Sequence, residues 1–243
     1  MRRFLKQILL FTLLVLLGYP TVIYVLHKKG VKITNLDKLT LLKGHLHKRL
    51  SEAEDVQNID ILFLGSSHAY RGFDTRIFKD NGITAFNLGS SAQTPSQTLI
   101  LVENYVRKMN PKLVVFEVNP MSFSYKGQES TMDFIRNSTT LNLKSKILWE
   151  GLDIFNFNSF LVNEIDRIFS DEEIKIHLGE IDTYIKGGFV ERVMLHNSPL
   201  AFEKRERKTM MTLQIEKFNE ILQFFKRNDI QYSLVQSPVT KKF

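Results

Sequence analysis

Hydrophobic positions in this chain follow three spacings, and each predicts a different kind of element. Residues 8–26 are 19 consecutive positions without a charge, about 28 Å long as a helix, which matches one hydrocarbon core. This predicts a single transmembrane helix. Arg2, Arg3 and Lys6 precede it, while Lys28, Lys29 and Lys32 follow, so flanking charge does not set its orientation. No small-x-small site closes the segment, which favours an uncleaved anchor over a signal peptide. Within residues 31–51 the leucines fall at 39, 42, 46 and 50 among Lys38, Lys43, Lys48 and Arg49, the pattern of a basic amphipathic stalk helix. His45 and His47 lie two apart, on different faces of such a helix, which disfavours a shared metal.

From residue 59 the spacing changes. Short apolar runs at 61–64, 82–87, 113–118 and 230–236 have strand length and end in Gly, Asn, Pro or Ser. Helical spacings lie between them: 74–78, then a helix capped by Thr94 with Pro95 at its first position and continuing to about 109, then a helix running to 228. Strands alternating with helices predict parallel pairing and right-handed crossovers. The first three strands then end on one edge of the sheet, which brings Ser67, Gly89 and Asn119 toward a single crevice. Residues 122–140 show no clear period and read as a long loop. Residues 141–188 carry helical patterning, and Ser170 with Glu173 suits a capping box. The stretch from about 122 to 208 is therefore expected as a helical insertion over the mouth of the site.

Charge refines this outline. The chain has 243 residues, 43% of them apolar, a formal net charge of +7 and no cysteine, so thiol nucleophiles, disulfides and cysteine metal sites are excluded. Residues 1–50 hold ten Lys/Arg against the single acid Asp37, whereas residues 51–243 hold 23 against 25 acids. The basic character thus belongs to the membrane flank, which argues against a nucleic-acid partner. The expected organisation is an anchor over 1–29, a basic stalk over 30–58 and an α/β domain over 59–243.

Candidate chemistry centres on Gly65-Ser66-Ser67, where the first strand stops. A serine there could cap the following helix, or it could be a nucleophile whose N–H binds an oxyanion.

Three stretches carry a resemblance: Ile61-Leu-Phe-Leu-Gly-Ser-Ser-His68, Phe86-Asn-Leu-Gly-Ser90 with Ser91, and Pro111-Lys-Leu-Val-Val-Phe-Glu-Val118. Together with the apolar N-terminus and strand order they resemble the membrane-anchored cell-envelope branch of the SGNH/GDSL hydrolases. The resemblance implies a flavodoxin-like three-layer α/β/α fold. It also implies a serine esterase or O-acyltransferase acting on acyl esters of envelope glycans, with no cofactor or metal. It places the nucleophile at Ser67, with Ser66 in the place of the family's aspartate and as the fallback, and the oxyanion hole at Gly89 and Asn119. Asn119 is the weaker match, because the family's turn would put its asparagine nearer Met121.

The family's Asp-x-x-His pair has no counterpart in these residues, so a chain lacking a C-terminal segment is expected. His68 is poorly aimed on a helix, and His177 and His196 lie in the insertion. The alternative is a membrane-tethered glycan-binding or assembly protein that keeps the fold without the chemistry. A large domain behind one N-terminal anchor is ordinarily translocated, so the domain is expected outside the cytoplasm, with the bilayer as partner through residues 8–26.

Overall fold

The apolar runs pair as their spacing predicts. A computed structural model describes residues 1–36, 44–169, 181–193 and 209–238. It opens with helix α1 (Arg2–Lys28) and α2 (His45–Ala53), followed by β1 (Ile61–Leu64), α3 (Ser67–Gly72), α4 (Thr75–Asp80) and β2 (Ala85–Asn87). Helix α5 (Pro95–Leu101) continues through a π-helical turn, Val102–Val106, into α6 (Arg107–Met109) and leads to β3 (Leu113–Glu117). Next come α7 (Gln128–Asn137), α8 (Leu141–Glu150), α9 (Ile154–Phe169), the hairpin β4 (Asp182–Ile185) and β5 (Phe189–Arg192), α10 (Thr212–Arg227) and β6 (Tyr232–Val235). Among the described residues, four strands form one sheet in the order β2-β1-β3-β6, parallel throughout. The chain is therefore an α/β protein with an N-terminal helix long and apolar enough to cross a membrane.

Side-chain alternation along β1 sorts the two faces of the sheet. Leu62 and Leu64, both fully buried, join Val114, Phe116, Leu101, Ile221 and Phe225 in a core beneath α5 and α10. Phe63 points the other way and packs on Phe73 and Phe78, with ring centroids 4.4 and 5.1 Å away.

Three expectations are corrected. The stalk over 30–58 does not stand off the domain. Residues 37–43 lie outside the described region, but Leu46, Leu50 and Ala53 of α2 are buried in the main core, and Arg49 is fully buried, donating twice to the Gly188 carbonyl (3.0 and 2.9 Å). At Leu46 and Leu50 the leucine spacing marks a core face, not a solvated one. Residues 122–140, expected as a loop, hold a 3₁₀ turn over Pro120–Ser124 and the whole of α7. Its buried stripe mixes Ser130, Thr131 and Asn137 with Met132, Phe134 and Ile135, which hides the period. The helical patterning extended to Gly188 fails at its end, because residues 182–192 are an antiparallel hairpin. Gly188 is needed there: its φ is +94°, and a Cβ would lie 2.2 Å from the Asn87 carbonyl oxygen. Ser170, Glu173, His177 and His196 lie outside the described residues.

Candidate functional site

Parallel strands that end together bring their turns together, and here the three turns touch. Ser90 N–H donates to the Gly65 carbonyl at 3.2 Å, joining the second turn to the first. Gly65 packs directly on Glu117 at the end of β3: its φ is +138°, and a Cβ would lie 2.8 Å from the Glu117 carbonyl oxygen and 2.9 Å from Oε2. Only glycine combines that backbone conformation with that approach.

Glu117 is the group that motif reading passed over. It sits on a central strand with 2% of its surface exposed, where an unpaired carboxylate would be costly. Its Oε2 accepts from Ser66 N–H (3.1 Å) and from Ser66 Oγ–H (2.8 Å). Its Oε1 lies 3.5 Å from His68 Nδ1. The sequence signal was available: one acid inside Leu-Val-Val-Phe-Glu-Val, a run that otherwise reads as buried strand.

These bonds divide the two serines. Ser66 is buried, its hydroxyl donating to Glu117 and accepting the His68 N–H at 3.3 Å as the cap of α3. Ser67, the first residue of α3, is half-buried, and among the described residues no hydrogen bond engages its hydroxyl. Its N–H is one of the donors that a helix start leaves unpaired. Both serines line a cavity of about 1120 Å³ together with His68, Ser91, Asn119, Tyr125 and the segment 126–129.

Asn119 lies at the same rim. Its Oδ1 accepts the Met121 N–H (3.0 Å), and its Nδ2 is 3.3 Å from His68 Nδ1. Gly89 does not line the cavity: a Cβ on it would lie 3.0 Å from the Ser66 carbonyl oxygen, and its N–H donates to Asn87 Oδ1 at 3.0 Å. Asn87 is in turn fixed by donating to the Ala69 carbonyl at 2.9 Å. The lining of the cavity on this side comes from Ser91 and Ala92. His68 has its ring against Glu117 and Asn119 and lines the cavity.

Buried polar bonds hold the second turn in place. Ser90 Oγ–H donates to Gln93 Oε1, and Gln93 Nε2 donates to Thr98 Oγ1, both at 2.8 Å. Thr94 and Gln97 complete a capping box at the start of α5. From the far side Asp133 of α7 accepts the Ser91 N–H, and burial pushes its carboxyl up to about 7. Among the described residues no group of three or more His, Asp or Glu side chains is placed to hold a metal.

No family model matches the chain, and no curated protein matches it. Among solved structures, a gut microbial diltiazem-metabolizing enzyme is similar over 74% of this chain and 37% of its own, at 15% identity and a TM-score of 0.23. The chain thus spans little more than a third of that protein's length, and so loose a match carries no argument here. The fold and site define a class on their own terms: an α/β protein with a parallel four-stranded sheet, a serine-bearing crevice at its carboxyl edge and a span-length N-terminal helix.

Proposed function

We propose that this chain is a membrane-anchored serine esterase or O-acyltransferase of the SGNH/GDSL type, with a three-layer fold and its domain outside the cytoplasm. It acts on acyl esters of cell-envelope glycans. The observation that carries the reading is the division of labour between the serines: Ser66 is locked by Glu117 and caps α3, which leaves the Ser67 hydroxyl free in the lining of the cavity. Ser67 is the nucleophile and Ser66 its support.

In this mechanism Ser67 Oγ attacks the acyl carbonyl carbon while its proton passes to a base, and the ester's alcohol leaves carrying that proton. Water or a sugar hydroxyl then attacks the acyl-enzyme and releases Ser67. His68 is the base. Glu117 Oε1, 3.5 Å from Nδ1, stabilises the charged ring that forms when His68 takes the proton. The Ser67 N–H and Asn119 Nδ2 are the donors for the oxyanion. The Gly89 N–H is already committed to Asn87, and this favours a second reading in which the crevice binds an acylated glycan without cleaving it.

A fluorophosphonate probe on the full chain in detergent separates the two. Covalent labelling that is lost in Ser67→Ala, kept in Ser66→Ala and at least about tenfold slower in His68→Gln supports the enzyme, since general-base assistance is worth about 10²–10⁴-fold. A folded chain that resists labelling at every serine fails the enzyme reading and leaves the binding one.

A further inference from the structure

Helix α1 is not exposed along its whole length. Every residue up to Leu17 is exposed, whereas the last third docks on the domain. Tyr19 donates from its hydroxyl to Asn158 Oδ1 at 2.7 Å, Tyr24 to Asp166 Oδ1 at 3.0 Å, and Ile23 is buried beside Val162. These contacts come in the same order on both helices, so α1 and α9 run side by side in one direction. Asn163 of α9 donates to the Ile135 carbonyl near the end of α7, while the α8–α9 corner touches the start of α7: a Cβ on Gly151 would lie 2.9 Å from Thr131 Oγ1. The starts of α7 and α9 therefore lie at one level, just beside the point where α1 leaves the domain.

That level has a length constraint. Phe4 to Leu17 is 14 residues, about 21 Å of helix against about 30 Å of hydrocarbon, even with Lys6 reaching back to the headgroups. The deficit of about 9 Å corresponds to about six residues, which carries the bilayer boundary past Gly18 toward Ile23, alongside the first turns of α9. At that depth the domain presents apolar surface. Trp149 is 78% exposed, Leu152 52%, Ile154 58% and Phe155 42%, consecutive around the corner. Two acids lie among them: Asp153 caps the helix start, accepting the Asn156 N–H at 2.7 Å, and Glu150 is paired with Lys217 at 3.8 Å.

We propose that the α8–α9 corner is a second membrane contact, with Trp149, Leu152, Ile154 and Phe155 seated in the headgroup–acyl boundary of the leaflet from which α1 emerges. Trp suits that layer, with an apolar ring and an N–H that stays wet. The contact has a consequence for the site. Thr131 lies one turn from Gln128 and Gly127, which form a wall of the cavity, so the cavity opens within about two helical turns of the lipid. The catalytic reading then narrows to esters held at the membrane surface, such as a lipid-linked or membrane-proximal acyl donor. This inference rests on α1 crossing the bilayer.

The chain has one tryptophan, so its emission reports the corner alone. The full chain is reconstituted into phosphatidylcholine vesicles with chains brominated at shallow or deep positions, and resistance to alkaline carbonate extraction is measured in parallel. Quenching of Trp149 that is strongest with shallow bromines, within the outer 5–10 Å or so of the acyl layer, is the expected result. The variant Trp149→Phe with Leu141→Trp moves the reporter to the far end of α8, and its emission is expected to be unaffected. An unquenched Trp149 in a chain that resists extraction overturns the corner contact and leaves the anchor standing. Equal quenching of both reporters overturns it as well. Release by carbonate overturns the anchor, and the corner contact with it.

Discussion

The two halves of this molecule are held together by different chemistry. Around the sheet, cohesion comes from volume: Leu62, Leu64, Leu101, Val114 and Phe225 are buried against one another with no polar atom among their side chains. In the layer of α1, α7, α8 and α9 a small apolar cluster of Ile23, Leu36, Met132, Ile135, Leu148 and Val162 is framed by amides. Asn35 donates to Asn156 (2.8 Å), Asn156 to the Gly151 carbonyl (2.6 Å), Asn158 to the Ile33 carbonyl (2.8 Å) and Asn137 to Asp133 (2.8 Å). A buried ion pair, Lys144 to Glu164 at 2.5 Å, joins α8 to α9. Apolar burial tolerates exchange of one hydrocarbon for another, whereas a polar frame fails when a single partner is lost. The contrast makes the helical layer the more position-specific of the two.

Substitutions test that contrast directly, beginning with the largest effect. Glu164→Leu strands the Lys144 ammonium, only 4% exposed, and is expected to cost about 3–5 kcal/mol, most of it recovered when Lys144→Met is added. Denaturant unfolding of the two singles and the double makes the cycle. A double variant no better than Glu164→Leu alone would mean that packing, not charge, holds α8 to α9. Leu64→Ala in the sheet core is expected to cost about 2–5 kcal/mol with no comparable rescue by a second site, because what it leaves is a cavity. Gly65→Ala acts where the sheet meets the crevice. Strain at φ +138° and the collision with Glu117 are expected to cost about 1–3 kcal/mol and to displace the backbone of the turn that carries Ser67. Loss of Ser67 labelling at temperatures where the variant remains folded would show the second effect apart from the first.

The same contrast explains what could be read from the chain. Strands β1, β2 and β3 were legible because burial makes them short apolar runs, β6 because a short run rich in strand-forming residues ends at Ser237-Pro238 although most of it is exposed, and α5 because Thr94, Pro95 and Gln97 spell its start. Ser66, Ser67 and Asn119 were legible with them, since a turn at the carboxyl end of a parallel strand has one place to go. Helix α7 was not, because Ser130, Thr131 and Asn137 occupy buried positions that a period search scores as solvent. Helix α2 was misplaced for the opposite reason: its charges hid a buried face, and Arg49 counts as surface until the Gly188 carbonyl is seen to receive it. The β4–β5 hairpin depends on contacts with Asn87 a hundred residues away. Glu117 was visible all along as the one acid in its strand, but its partner Ser66 lies 51 residues earlier, and no local pattern joins them.

The smallest predicted effect is a slope, and it lies at the seam between the halves, where α2 meets α7. His45 and Asp133 both face the buried Arg49, and their proton affinities are displaced in opposite senses. Burial and the Arg49 charge lower His45 from 6.5 to about 3, so its contribution to stability is present above about 6.5 and is lost as pH falls toward 3. Burial raises Asp133 from 3.8 to about 7, so its contribution is present below about 4 and is lost as pH rises through 7. Between about pH 4 and 6.5 the folded chain gives up a proton at His45 and takes one up at Asp133 relative to the unfolded chain, and the two slopes oppose each other. Asp133→Asn is therefore expected to make stability rise with pH across this window more steeply than in the parent, by up to about 1.4 kcal/mol per unit. His45→Gln is expected to tilt the profile by a similar amount the other way. Denaturation midpoints in detergent at three or four pH values, read as differences from the parent, check both signs. Profiles for the two variants that run parallel to the parent would mean that the pair exchanges protons as freely as exposed groups do, and that water reaches the seam.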